Sequence, residues 1–192
     1  GESFTLFVDA PGGTGKTYCL NAILAWVRSY KRIAVAVAST GIAALLLDGG
    51  RTIHSRFKIP LNLDGDSTCN ISAQSQLADL IRQATLVIYD EAPMHHKHLL
   101  EAVDRSFRDI RNVDAPCGGL SIILAGDFRQ IMPVIPHASK ATTITSSLKQ
   151  SYLWKHFGVK SLTQNMRVKN VLSTLNPNGH LAQLLQNFSD WL

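Results

Sequence analysis

What this chain has little of narrows the field before any motif is considered. Its 192 residues include 3 cysteines, Cys19, Cys69 and Cys117. An odd, widely spaced set fits reduced thiols in a cytosol-like compartment better than it fits a disulfide framework. No apolar run approaches the roughly 20 residues that span a bilayer, and the N-terminus lacks a basic-then-apolar signal pattern. The expectation is a soluble, intracellular chain with no membrane partner. Asn70-Ile71-Ser72 and Asn187-Phe188-Ser189 match the glycosylation pattern, but without a secretory signal both are read as chance. There is no internal repeat, no low-complexity tract and no run of basic residues. The formal charge of +5 is scattered, which permits a polyanion partner without demanding one. With 45% hydrophobic and 17% charged residues, the composition is that of one globular domain long enough for a three-layer core.

What is present is organised around Ala10-Pro11-Gly12-Gly13-Thr14-Gly15-Lys16-Thr17. An apolar run, Phe4 to Val8, precedes it and reads as a buried strand; Cys19 to Val27 follows with apolar residues at helical spacing. Strand, glycine loop and helix in that order make a phosphate-binding loop. The glycines let the backbone curl so that N–H groups point at phosphate oxygens. Lys16 then reaches the β- and γ-phosphates, Thr17 offers its hydroxyl to Mg²⁺, and the helix N-terminus adds its positive end. Ala10 stands where the strict pattern has glycine.

Apolar runs alternate with helical patterns along the rest of the chain. Strands are expected over Ile33 to Ala38, Leu86 to Tyr89 and Ser121 to Ala125, and helices over Ile42 to Leu47, Leu77 to Ala84 and Leu99 to Ile110. Thr52 to Pro60 reads as irregular and Asn62 to Ser75 as a polar loop. His180 to Leu192 places its apolar residues on one helical stripe and then stops without a capping residue, as if cut in a helix. Such alternation predicts an α/β fold with a parallel sheet covered on both faces and ligands at the C-terminal strand ends. The phosphate loop, Asp90-Glu91 and Gly126 to Gln130 all fall at such ends.

Asp90-Glu91 supplies what a nucleotide hydrolase needs beside its phosphate loop: one carboxylate to hold Mg²⁺ and one to polarise an attacking water. Gln130 offers an amide to sense the γ-phosphate or orient that water. Spacing alone does not single out Arg167. His95, His96 and His98 suggest a metal site, but no Cys or carboxylate cluster other than Asp90-Glu91 accompanies them, so they read as solvated residues starting a helix. Trp26, Trp154 and Trp191 sit among Leu, Val and Phe and read as core. Phe57, beside His54, Arg56 and Lys58, suits single-stranded nucleic acid as well as it suits local packing.

Seven blocks in order carry a resemblance: Val8 to Thr17, Ala38 to Ala44, Thr52 to Pro60, Asp90 to Met94, Gly126 to Gln130, Ser151 to Trp154, and Leu162 to Arg167. Together the chain resembles the first motor domain of the PIF-type (petite integration frequency) superfamily 1 helicases, and especially the eukaryotic branch carried by Helitron-like transposons. The resemblance implies a RecA-like P-loop NTPase domain, three-layer α/β/α with a mostly parallel sheet, over 1–192. The insertion near 61–76 would correspond to a small wedge-bearing subdomain. It implies ATP and Mg²⁺ as ligands and an ATP-dependent 5′-to-3′ DNA helicase activity. Gly12, Gly13, Thr14, Gly15, Lys16 and Thr17 would hold the nucleotide, and Thr17 and Asp90 the metal. Lys16, Glu91, Gln130 and the arginine finger Arg167 would be catalytic. Ser39, Thr40, Gly41, Thr52, His54, Phe57 and Pro60 would contact single-stranded DNA.

Forked duplex DNA and a second RecA-like domain of the parent protein are the implied partners, with repair and recombination in the nucleus, or the mitochondrion, as the setting. Two departures matter: the family's adenine-reading glutamine motif does not precede the P-loop, and no second motor domain follows Leu192, so the expectation is half a motor. Two alternatives stand beside it. A nucleotide- or DNA-binding remnant of a transposon helicase would keep the fold without turnover. A GTPase or kinase is disfavoured, since the chain lacks an Asn-Lys-x-Asp guanine motif and Asp90 is followed by Glu91.

Overall fold

The structure, a computed structural model, describes residues 3–130, 133, 139–173 and 184. Its centre is a six-stranded sheet in the order β3-β2-β4-β5-β1-β6. The strands are β1 (Thr5–Asp9), β2 (Ile33–Ala38), β3 (Arg51–Thr52), β4 (Ala84–Asp90), β5 (Ser121–Gly126) and β6 (Gly158–Ser161). Every pairing between them is parallel. The helices are α1 (Lys16–Ser29), α2 (Gly41–Leu45), α3 (Ile53–Phe57), α4 (Gln76–Gln83), α5 (Lys97–Arg111), α6 (Lys140–Thr145) and α7 (Met166–Leu172).

Side chains alternate across each strand, so one apolar run feeds two cores. Ala34, Ala36 and Ala38 of β2 join Leu86, Ile88, Ile123 and Ala125 under α1, whose Leu20, Leu24 and Val27 close that face. Val35 and Val37 face the other way with Val87, Tyr89, Ile122 and Leu124, where α3, α4 and α5 bring Ile53, Phe57, Ile81, Leu99, Val103 and Phe107. The result is the expected three-layer α/β/α arrangement. The alanine row on the α1 face lets that helix approach the sheet closely, and α1 is the element that carries the phosphate loop.

Two departures from the sequence reading have local causes. Thr52 to Pro60, expected to be irregular, contains the end of β3 and the one-turn α3. Thr52 caps α3 by accepting from the Ser55 amide at 3.4 Å, and Ile53 and Phe57, four residues apart, are buried beneath it. One turn is too short to show a period. Strand β6 carries no apolar run, because all four of its residues are exposed; it is an edge strand, and its pairing with β1 places the phosphate-loop strand inside the sheet. Residues 61–75 form no helix or strand and are strapped to α5, where Ser106 Oγ accepts from the Cys69 amide at 2.8 Å and Ser67 O accepts from Arg105 Nε at 3.0 Å. The helical reading of 180–192 lies outside the described residues save Leu184. Among the described residues no helix is long and apolar enough to cross a membrane.

Candidate nucleotide site and nucleic-acid face

The loop from Ala10 to Gly15 leaves β1 and enters α1 at Lys16. Its curl is fixed from inside: Pro11 O accepts both the Thr14 amide at 3.3 Å and the Thr14 hydroxyl at 2.8 Å. Gly13 and Gly15 both lie at φ 85, a region that costs an L side chain on the order of 1–2 kcal/mol. Gly13 is closed to substitution for a second reason, since a Cβ there would sit 2.8 Å from Asn165 Oδ1.

The Lys16 ammonium reaches across to the end of β4 and is paired with both Asp90 Oδ1 and Glu91 Oε1. Asp90 is buried at 2% exposure, and its Oδ1 also accepts the Glu91 amide at 2.9 Å. Glu91 itself has φ 55 and ψ 33, a strained conformation for a residue with a side chain, which persists where its surroundings over-determine it. Those surroundings are visible. Ser39 donates its amide to Asp90 O at 3.1 Å and its hydroxyl to Glu91 O. On the other side, the turn Ala92–Met94 presses so close to β5 that a Cβ on Gly126 would stand 2.4 Å from Pro93 Cδ.

Two further segments converge on the same corner. The loop after β5 is organised by Asp127, which accepts from the Arg129 amide at 2.9 Å and Nε at 2.8 Å. Burial alone would raise the Asp127 pKa, but these bonds and the Arg129 charge outweigh it and hold the carboxyl below its usual range. The loop brings Gln130 to Gly12, where a Cβ would lie 3.3 Å from Gln130 Nε2. The start of α7 docks directly on the phosphate loop, with Gly13 O accepting the Met166 amide at 2.9 Å and the Arg167 amide at 3.3 Å. Asn165 caps α7 by accepting from the Arg167 and Val168 amides at 3.1 and 3.2 Å. A cleft of about 840 Å³ results, lined among others by Gly12, Gly13, Gly15, Lys16, Thr17, Asp90, Glu91, Gln130 and Arg167. Thr14 is buried instead, holding the loop's shape. The sequence reading did not choose Asn165; its one available signal was an Asn at a helix start.

The donors fit Mg²⁺. Thr17 and Asp90 bring hard oxygen atoms to one cleft, and Mg²⁺ typically takes one or two protein oxygens beside substrate phosphates. Among the described residues no group of three or more His, Cys, Asp or Glu could cage a metal.

The residues read as nucleic-acid contacts lie at the C-terminal ends of β2 and β3, at the same end of the strands as the phosphate loop. Thr40 caps α2, accepting from the Ala43 amide at 3.2 Å, and a Cβ on Gly41 would meet nothing within 4 Å. Thr52 caps α3, and the half-buried His54 stacks edge-on against His95 at 5.2 Å. Pro60 is half-buried. Phe57 is a correction. It is 1% exposed and packs edge-on against Phe107 at 5.1 Å, so it supports α3 from beneath and is closed to a base. What α3 and its flanks do present is charge: Arg51 and Lys58 are exposed, and Arg56 Nε is buried without a hydrogen-bond partner. Burial, and then the neighbouring Arg51 charge, push the Arg56 pKa down.

Other readings also change. Trp26 is 64% exposed and meets Tyr30 edge-on, not in the core, because it lies on the outer side of α1. Trp154 does pack as core, between Phe7 and Phe128; Trp191 lies outside the described residues. The three histidines at the start of α5 are half-buried and not freely solvated. His96 accepts the His98 amide at 3.1 Å as the helix cap. Burial, reinforced by the neighbouring His54, pushes the His95 pKa down to about 4.

With this geometry in hand, similarity to known proteins becomes informative. The sequence model of a family described as PIF1-like helicase matches residues 1–192. The chain is 31% identical over 164 residues to the ATP-dependent DNA helicase Pif1 of Psychrobacter sp. (strain PRwf-1), covering 84% of this chain and 25% of that protein. It is 35% identical over 136 residues to the ATP-dependent DNA helicase RRM3 of Saccharomyces cerevisiae, covering 67% of this chain and 18% of that one. Among solved structures, a Bacteroides Pif1 helicase in complex with ADP-AlF3 and ssDNA superposes with a TM-score of 0.75 at 28% identity, over 90% of this chain and 42% of that chain. The chain thus spans about a quarter or less of these curated relatives, and its fold is that of their first RecA-like domain.

Proposed function

Because the chain belongs to the PIF1-like helicase family, we propose that it forms the first motor half of an ATP-dependent 5′-to-3′ DNA helicase. It couples ATP hydrolysis to movement along single-stranded DNA and to unwinding of forked duplexes. The observation that carries this reading is the Lys16 ammonium held between Asp90 and Glu91, in a cleft that Gln130 and Arg167 also line.

Arrival of a triphosphate gives Lys16 a better partner, and it moves from the carboxylates to the β- and γ-phosphates. Glu91, released, accepts a proton from a water whose oxygen bonds to the γ-phosphorus, while the bond to the β–γ bridging oxygen breaks and ADP departs with that electron pair. Thr17 and Asp90 would hold Mg²⁺, which when bound would neutralise charge on the phosphate oxygens. Gln130 orients the water or senses the γ-phosphate. Arg167 brings a fixed planar charge to the transferring group, an effect worth about 10³–10⁵ in rate for arginine fingers.

Single-stranded DNA lies over Ser39, Thr40, Gly41, Thr52, His54 and Pro60, with Arg56, whose Nε has no hydrogen-bond partner, bringing its guanidinium to a backbone phosphate. A second RecA-like domain of the parent protein closes over the nucleotide. Its seat is an apolar strip beside the cleft, where Tyr18, Ile42, Leu45 and Leu46 are 81%, 79%, 87% and 56% exposed. Residues 61–76 stand as the wedge-bearing insertion, and family membership supports a nuclear role in repair and recombination.

ATP hydrolysis measured with and without single-stranded DNA, on this chain and on the full-length protein side by side, tests the reading. DNA-stimulated turnover by the full-length protein is the expected result. Nucleotide binding without turnover in both would replace it with a binding remnant.

A further inference from the structure

Tyr89 is an unusual choice for its position. It is 2% exposed in a strand whose other buried side chains on that face are aliphatic, and a buried phenol is costly unless its hydroxyl is bonded. Here the hydroxyl is bonded: it meets His95 Nδ1 and lies 3.5 Å from Ser39 Oγ. Ser39 in turn donates its hydroxyl to Glu91 O and its amide to Asp90 O. In the other direction, the His95 ring stands edge-on to His54, 5.2 Å away at 83°. His54 belongs to α3, where its Nδ1 lies 3.3 Å from Ile59 O. A continuous seam, a ring contact followed by polar contacts, therefore runs from α3 through His95, Tyr89 and Ser39 to the backbone of the strained Glu91. Neither Tyr89 nor His95 lines the nucleotide cleft.

We propose that Tyr89 and His95 are positioning residues that transmit the seating of single-stranded DNA on α3 to the Glu91 carboxylate, and so set how far DNA stimulates hydrolysis. The proposal rests on the helicase reading above. Its physical basis is the Glu91 backbone: at φ 55 it holds its place only through its neighbours' contacts. A small displacement of His54 reaches it through a packed His–Tyr pair that cannot deform continuously.

The test uses the full-length protein and measures three quantities on each variant: DNA-free turnover, DNA-saturated turnover and affinity for single-stranded DNA. Tyr89→Phe keeps the packing and removes the hydroxyl; His95→Leu removes the ring nitrogen; His95→Asn restores an acceptor near the Nδ1 position. The expected result is that Tyr89→Phe and His95→Leu lower DNA-saturated turnover about tenfold, within the range typical of coupled sites. DNA-free turnover and DNA affinity stay within about twofold, and His95→Asn recovers most of the stimulation. Full stimulation in Tyr89→Phe overturns the proposal and leaves the helicase reading intact. A parallel fall of DNA-free and DNA-saturated turnover also overturns it, since the pair would then be structural support. Absence of DNA stimulation in the wild type removes both.

Discussion

The nucleotide corner and the Thr52–Pro60 segment both lie at the C-terminal ends of the strands of one sheet and are built on opposite electrostatic plans. In the corner the chain satisfies itself: one lysine is shared by two carboxylates, the Asp90 carboxylate also accepts the Glu91 amide, and the main-chain carbonyls of both residues accept from Ser39. In the segment the chain leaves charge unspent. Arg56 Nε has no partner, Arg51 adds like charge beside it, and the aromatic that would stack on a base is turned into the core. The first plan suits a ligand that must displace internal partners and thereby release a base; the second suits a polyanion gripped by its backbone and read by no base contact. Under the proposed function, chemistry is gated where the charges are paired, and grip is available where they are not.

The largest effect that bears on this contrast is at Phe57. Phe57→Ala should lower folding stability by about 3–5 kcal/mol, the cost of emptying a buried aromatic site, read by denaturant unfolding. Phe57→Leu should leave affinity for single-stranded DNA within about twofold. A stacking residue would behave in reverse, losing about 1–3 kcal/mol of DNA binding with stability unchanged, and the comparison would collapse. In the corner, Lys16→Ala should weaken ATP binding about 10²-fold or more, because a half-buried charge partner of the phosphates is lost; titration calorimetry measures it, and near-normal affinity would mean the ion pair is structural. The smallest effect sharpens the segment. Arg56→Ala should weaken DNA binding by about 1 kcal/mol whatever the sequence, and should reduce the slope of log affinity against log salt by about 1. A slope that does not change would take Arg56 off the DNA.

The same contrast explains what could be read from the amino acids alone. Asp90, Glu91 and the loop from Gly12 to Thr17 were legible because backbone geometry demands those residue types at that spacing, after strands whose two-sided burial leaves unbroken apolar runs. Gln130 is legible from its place in the loop at a strand end, and Arg167 only through the order of blocks along the chain; their convergence on Gly12 and Gly13 is a tertiary fact. The α3 segment was less legible. A single helical turn has no period, and a sequence cannot show which side of that turn faces Phe107, so Phe57 stayed balanced between two roles. Trp26 was misjudged for a related reason: its apolar neighbours along the chain lie on the other side of α1. The Tyr89–His95–Ser39 seam joins three separate elements and leaves no local signature.

In the proposed mechanism the carboxylate freed from Lys16 by the arriving phosphates is the base. Glu91→Gln tests it most directly, by single-turnover ATP hydrolysis at saturating single-stranded DNA in the full-length protein. ATP affinity should be retained while the hydrolysis rate falls by about 10²–10⁴-fold, the usual contribution of a positioned base. Hydrolysis at the wild-type rate would contradict the assignment and reduce the Lys16–Asp90–Glu91 cluster to a structural ion pair.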